Sequence, residues 1–230
     1  MNKSRMAGYV NTCVILMGLL ILAMPFRTHA ATAQVEGGQT SILFGNGALD
    51  SLGLSITSVT PNVGGNLGPN SIAFGINPRD AIGGALDTTL IYNSPDFSPF
   101  SGTIEHSGRV QFNGTTEVGD FTIRAASGRP TGTSGFVVES TFGLNTILFD
   151  IANPIIEAFD DSLVIAADIL VSPELADFLG ASGLAGADAG MALVDAHSTV
   201  VPIPASLWLF GSGLLGLAGI ARKKTAAKQG

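Results

Sequence analysis

From residue 31 to residue 199 the chain has no cysteine, no lysine and no tryptophan. Its only arginines there are Arg79, Arg109, Arg124 and Arg129. Missing thiols exclude disulfides, cysteine-ligated metals and thiol catalysis from this stretch. At about 170 residues the body is long enough to bury one core without cross-links. Those four arginines face all eighteen acidic residues of the chain, which leaves the body at −14 against −7 for the whole. Such a surface repels nucleic acid and anionic lipid; it suits solubility and spacing among like-charged surface polymers more than the attraction of divalent cations or basic partners.

Catalytic motifs are also missing. There is no Gly-x-Ser-x-Gly elbow, phosphate-binding loop, His-Glu-x-x-His or EF-hand pattern. The body has two histidines. His106 has the parity of Ile104 and Val110, which points to a histidine bonded within a sheet rather than a base. His197 falls in the stretch leading to the C-terminal apolar run and is expected to be solvated. Asp160, Asp161 and Asp168 are candidate oxygen ligands for Ca²⁺, although an Asp-Asp pair is more often a turn. Asp80 with Asp87, and Glu105 with Glu117, are no closer to a glycosidase pair than chance would place them. Asn113-Gly114-Thr115 fits both a glycosylation sequon and a hairpin turn.

What is present in the body reads as β almost throughout. Short runs rich in β-branched and aromatic residues occur at 41–44, 54–60, 71–76, 88–92, 103–112, 121–125, 136–141, 145–151 and 162–171. Clusters of Gly, Asn, Pro and Asp separate them. In 103–112, Ile104, Val110 and Phe112 share one face while Glu105, Arg109 and Gln111 share the other. In 119–125, Phe121, Ile123 and Ala125 oppose Asp120, Thr122 and Arg124. The expected class is all-β, an antiparallel β-sandwich or jelly-roll-like body. One helix is legible, with Ser172 as N-cap, Pro173 at its first position, Leu175, Phe178 and Leu179 toward the core, and Gly180 as its stop. The segment from Gly180 to Gly190 reads as small and flexible. No internal repeat is visible, which speaks against a β-helix or propeller.

The two ends differ from the body. Lys3 and Arg5, an apolar run from Val14 to Met24, and then small residues follow the plan of a secretory signal peptide over residues 1–30, with cleavage after Ala30 or Ala33. Cys13 lies within this segment. At the other end, residues 205–221 carry no charge and span roughly 26 Å as a helix, close to a hydrocarbon core of about 30 Å. Arg222, Lys223 and Lys224 follow and would hold residues 225–230 in the cytoplasm, while Trp208 sits near the opposite interface. Four glycines, Gly211, Gly213, Gly216 and Gly219, make this a weak transmembrane helix. Pro202 and Pro204 keep Val201 and Ile203 extended, the backbone shape that a protease active site accepts.

This tail resembles the PEP-CTERM sorting signal of exported proteins in Gram-negative bacteria: a Pro-x-Pro box, an apolar helix and a terminal basic cluster. Its box is Val201-Pro202-Ile203-Pro204-Ala205, with Ile203 where the usual box has Glu, as in the Val-Pro-Leu-Pro-Ala variant. The resemblance covers residues 200–224. It implies recognition by an exosortase, a membrane-embedded cysteine transpeptidase, and delivery to the cell surface or the extracellular matrix after a transient inner-membrane stage. Signal peptidase and the general secretion machinery would be earlier partners, and exopolysaccharide a later one. The expected function is a non-enzymatic exported surface or matrix protein with no cofactor. The alternatives are a secreted carbohydrate- or Ca²⁺-binding module, and a surface hydrolase whose carboxylates meet only in three dimensions.

Overall fold

The computed structural model describes residues 31–202 and the single position Phe210. The expected signal peptide, the helix 205–221, the stop Arg222–Lys224, the tail 225–230 and box residues Ile203, Pro204 and Ala205 lie outside the described residues. No helix among those described is long and apolar enough to cross a membrane.

Twelve strands form one antiparallel sheet: β1 (Ala31–Phe44), β2 (Ile56–Thr60), β3 (Ile72–Ile76), β4 (Ile91–Ser94), β5 (Phe97–Ser101), β6 (Ile104–Ser107), β7 (Arg109–Phe112), β8 (Thr116–Ala125), β9 (Phe136–Gly143), β10 (Thr146–Ala158), β11 (Ser162–Val171) and β12 (Asp188–Val200). Strand order runs β12-β11-β10-β9-β8-β6-β3-β1, and β1 pairs again with β12 from Ala33↔Val200 to Phe44↔Gly190. The path therefore closes into a barrel. The antiparallel all-β expectation holds, but where two stacked sheets were expected there is one sheet joined to itself. Two pieces branch from the ring. β4 and β5 extend from the first residues of β1, and β7 with β2 extends from the first half of β8.

The seam that closes the barrel is where the sequence pattern is faintest. β12 turns Ala189, Ala192, Val194 and Ala196 inward, all buried, and Met191, Asp195 and His197 outward. Alanine has little β preference of its own, so an alternating strand built on it carries a weak signal. β1 bulges between Val35 and Gly37. At Gly38 (φ 128°) a Cβ would collide with the carbonyl oxygen of Asp195, and at Gly190 (φ 131°) with that of Leu43. Two glycines thus let the strands approach closely enough to pair.

Apolar side chains fill the interior. Phe74 and Phe121 pack with centroids 4.7 Å apart, and Phe97 stacks on Phe100 at 4.9 Å. Val35, Leu163 and Ile169 are fully buried, each contributing about 1.5–3 kcal/mol by leaving water. Apolar voids among these side chains hold about 30 Å³ each, too little for a ligand larger than a water, so the centre is a packed core. With carboxylates such as Glu157 and Asp195 outside, the arrangement is the inverse of a lipid-embedded barrel. Tyr92 is fully buried, its hydroxyl 2.6 Å from the Phe159 carbonyl oxygen and 3.0 Å from that of Ser162. Burial raises its pKa above the ordinary tyrosine value.

A short helix α1 (Ala48–Ser51) follows β1, and α2 (Pro173–Phe178) follows β11. The start of α2 is as the sequence implies. The Ser172 hydroxyl accepts from the Leu175 amide at 3.0 Å and donates to the Ile147 carbonyl at 2.6 Å. Leu175 is buried, whereas Phe178, expected in the core, is 53% exposed. The segment after Gly180 is tied down rather than loose. It contains a 3-10 turn at Ser182–Leu184, and the Gly186 amide donates to the Val171 carbonyl. It then enters β12.

Candidate functional site

The run 103–112 is divided at Gly108. Glu105 opposes Thr122 and Arg109 opposes Gly119, so a step of four residues on one strand matches a step of three on β8. This is a one-residue bulge, and such irregularities re-aim neighbouring side chains. Asp120 faces it in a left-handed conformation (φ 47°), its Oδ1 accepting from the Gly108 amide at 3.3 Å.

Parity places Ile104 and His106 on the inside and Glu105 on the outside, as expected. Glu105 is nevertheless only 5% exposed, because the segment between β3 and β4 folds over it. Thr88, fully buried, donates through its hydroxyl to the Glu105 carbonyl and accepts from the Glu105 amide. Asn77 closes the other side, its amide group donating to the Leu86 carbonyl. Between this roof and the barrel wall lies a cleft of about 430 Å³, lined by Asn77, Gly83–Leu86, Glu105, His106, Ser107, Asp120 and Thr141. It shares Asn77, Ser107 and Asp120 with an open groove of about 620 Å³ that continues past Pro61, Gly75 and Arg109. The Arg109 guanidinium is engaged with the Phe142 ring, 3.5 Å from its centroid.

The protons in the cleft are largely committed. Ser107 donates to Asn77 Oδ1 at 2.7 Å, and Thr141 donates to the Asp120 carbonyl at 2.5 Å. Glu105 Oε2 accepts from the Thr122 hydroxyl at 2.6 Å. Glu105 Oε1 and Asp120 Oδ2 accept nothing from the described residues, and no lysine or arginine lines the cleft.

His106 is buried, and both ring nitrogens are engaged. Nδ1 donates to the Phe121 carbonyl at 2.9 Å, because a carbonyl can only accept. Nε2 therefore accepts from the Thr40 hydroxyl at 2.7 Å. Burial lowers its pKa to about 4, and the bond to Phe121 opposes that only in part. It is a neutral structural histidine, as the strand parity suggested. His197 is exposed.

The other candidates do not converge. Asp160 and Asp161 lie exposed in the β10–β11 turn. Asp168 lies well up β11, about 20 Å away, where the Asn153 amide donates to it at 2.9 Å. No three His, Cys, Asp or Glu among the described residues form a group that could hold a metal. Glu117 is five residues along β8 from the partner of Glu105, about 17 Å, which is beyond glycosidase spacing. Asp87 accepts from the Ala81 amide within an exposed loop beside Asp80. Asn113 and Gly114, at φ 52° and 70°, form the turn between β7 and β8. The Asn113 side-chain nitrogen donates to the Gly53 carbonyl, and its oxygen accepts from the Ser55 amide, so this asparagine serves as a turn anchor. Of the sorting box, Val201 and Pro202 are described. The Val201 amide donates to the Thr32 carbonyl at 2.7 Å, and Pro202 is exposed.

Asp120 was legible only as one polar residue of an alternating strand. The signal for its nearness to Glu105 lay in register: Asp120 is two residues along β8 from Thr122, the partner of Glu105. A second, part-buried cluster had no sequence signal. Arg129 holds Asp150 through Nε at 2.6 Å and Nη2 at 2.9 Å, and Glu174 through Nη1 at 2.5 Å and Nη2 at 2.9 Å. The carboxylates hold the Arg129 pKa above its ordinary value, and the guanidinium holds that of Glu174 below the usual carboxylate range. This clamp ties the β8–β9 loop to β10 and α2. No family model matches the chain, and neither a curated protein nor a solved structure shows significant similarity to it.

Proposed function

We propose that this protein is an exported, non-enzymatic surface or extracellular-matrix component, secreted by its N-terminal signal and then processed at its C-terminal box by an exosortase-type transpeptidase. One observation supports this most directly. The two ends of the barrel domain lie side by side, with Ala33 opposite Val200 and the Val201 amide bonded to Thr32. Both membrane-directed segments therefore depart from one pole. A domain so arranged stands on one side of a bilayer whether it is held by its first segment, its last, or both.

The same pairing favours one of the two signal-peptidase positions. Ala31, Thr32 and Ala33 pair with Ser94, Asn93 and Tyr92 of β4, and Ala33 is fully buried. Cleavage after Ala33 would remove those pairs and the acceptor for Val201. Cleavage after Ala30 leaves the barrel whole.

The test is intact-mass and N-terminal analysis of the protein from a host that carries the sorting enzyme. The expected product starts at Ala31 and lacks Arg222–Gly230. Changing both Pro202 and Pro204 to Ala should leave full-length C-termini in the inner-membrane fraction. If the unaltered protein also keeps Arg222–Gly230 in the membrane, the tail is an anchor and the sorting reading fails.

A second reading, a secreted binding module, is supported by the covered cleft over Glu105. Against a hydrolase, both nitrogens of the neighbouring His106 are engaged, and neither cleft carboxylate has a cationic partner.

A further inference from the structure

We propose that Asn46 is a site of spontaneous deamidation in the folded protein, and that the fold protects the chain's second Asn-Gly pair, Asn113-Gly114, from the same reaction. The inference is independent of the export reading.

The reaction needs no enzyme and no co-reactant other than water. The backbone nitrogen of the residue after an asparagine, having lost its proton to solvent base, attacks the side-chain carbonyl carbon. A new C–N bond closes a five-membered imide, and ammonia leaves. Water then opens the ring at one of its two carbonyls. The product is aspartate or, with the main chain rerouted through the side chain, isoaspartate. Glycine is the best following residue, because no Cβ hinders the attack or the backbone rotation it requires. The chain has two such pairs, Asn46-Gly47 and Asn113-Gly114.

Exposure and backbone shape do not separate them. All four residues are exposed and lie in turns, and the glycines have nearly the same left-handed φ, 74° at Gly47 and 70° at Gly114. Hydrogen bonding does separate them. The Asn113 side-chain nitrogen donates to the Gly53 carbonyl at 2.9 Å. Its oxygen accepts from the Ser55 amide at 2.8 Å and from the Ser55 hydroxyl at 3.0 Å. The Gly114 amide, the attacking group, donates to the Thr57 hydroxyl at 3.1 Å. Electrophile and nucleophile are both held, so reaction there waits for a local opening that breaks these bonds.

Asn46-Gly47 has no such frame. Neither the Asn46 side chain nor the Gly47 amide has a hydrogen-bond partner among the described residues. The pair forms the tip of the turn from β1 to α1 and is anchored at its flanks. There the Gly45 amide donates to the Ala189 carbonyl, and the Ser51 amide to the Gly47 carbonyl, an oxygen that takes no part in the attack. Nothing lies within 4 Å of the place a Gly47 Cβ would occupy, so the space beside the turn is open. The attacking nitrogen and the carbon it attacks are both free to meet.

The test follows both sites in the full-length chain, kept in mild detergent and warm, mildly alkaline buffer, by peptide mapping with mass spectrometry. In the folded chain Asn46 should deamidate about tenfold or more faster than Asn113, with isoaspartate among its products. In urea the two rates should converge to within about threefold, because what remains is the same dipeptide in an open chain. Thr57→Val, which removes the acceptor of the Gly114 amide, should speed reaction at Asn113 severalfold and leave Asn46 unchanged. Asn46→Gln should remove the modification from its peptide, since glutamine has to close a slower six-membered ring. If Thr57→Val fails to fold, the comparison of folded and urea-unfolded chains decides alone. The proposal is overturned by equal rates in the folded chain, by faster reaction at Asn113, by aspartate without isoaspartate at Asn46, by a gap of the same size in urea, or by an unchanged Asn113 rate in folded Thr57→Val.

Discussion

Asp150 and Glu105 are carboxylates withdrawn almost equally from water, at 1% and 5% exposure, yet their surroundings differ in kind. Asp150 meets the guanidinium of Arg129 through two parallel hydrogen bonds, and Glu174 completes the arrangement from α2. Glu105 has one hydroxyl partner and an open cleft. Where the protein needs a loop pinned to β10, it supplies a complete, charge-compensated network. Over Glu105 it leaves one carboxylate oxygen to the solvent of the cleft beneath the Asn77–Thr88 segment. Burial alone therefore does not mark a structural charge in this barrel; what distinguishes the two sites is whether a partner is built in.

The largest expected effect tests the complete site. Arg129→Met should lower the unfolding free energy in urea by about 3–5 kcal/mol, because Asp150 would keep its burial and lose its counter-charge. A loss below about 1 kcal/mol would mean that the clamp is not the stabilising half of the comparison.

Next comes His106, one residue from Glu105 but on the inner face. Its folded pKa of about 4 lies below the unfolded value of about 6.5, so the unfolded chain binds more protons between those limits. Stability from keeping this ring neutral is fully present above pH 6.5, is lost as pH falls, and is gone below pH 4. The expected loss is about 3 kcal/mol. Denaturation curves across pH 4–7 should show that dependence in the unaltered protein and lose this part of it in His106→Asn. Identical slopes would remove His106 as its source.

The smallest effect belongs to the open site. Glu105→Gln should change stability by less than about 1 kcal/mol, because no ion pair is broken and the amide oxygen can still accept from Thr122. A loss as large as that of Arg129→Met would make Glu105 a structural carboxylate like Asp150, and the contrast would collapse.

Much of the wall was legible from local alternation. Ile104, Val110, Phe112, Phe121 and Ile123 are buried as their spacing implied, and Ser172 caps α2. The chain alone also shows the acidic, lysine-free body, because charge is a property of composition and needs no fold. Local periodicity reports which face a residue takes on its own strand and nothing about what covers that face. So Glu105 could be read as outward, whereas its burial beneath Asn77–Thr88 depends on a loop that packs back from another part of the chain. Barrel closure was hidden for a related reason. The seam is made of alanines and two glycines whose value is that they are small beside one particular neighbour, a long-range fact with no local signature. Arg129, Asp150 and Glu174 stand far apart in sequence, and a guanidinium selects its carboxylates by geometry in space. Composition, alternation and caps follow from bonds and neighbours along the chain. Closure, the roofed cleft and the two fates of buried carboxylates follow from contacts between distant segments, which only the folded chain brings together.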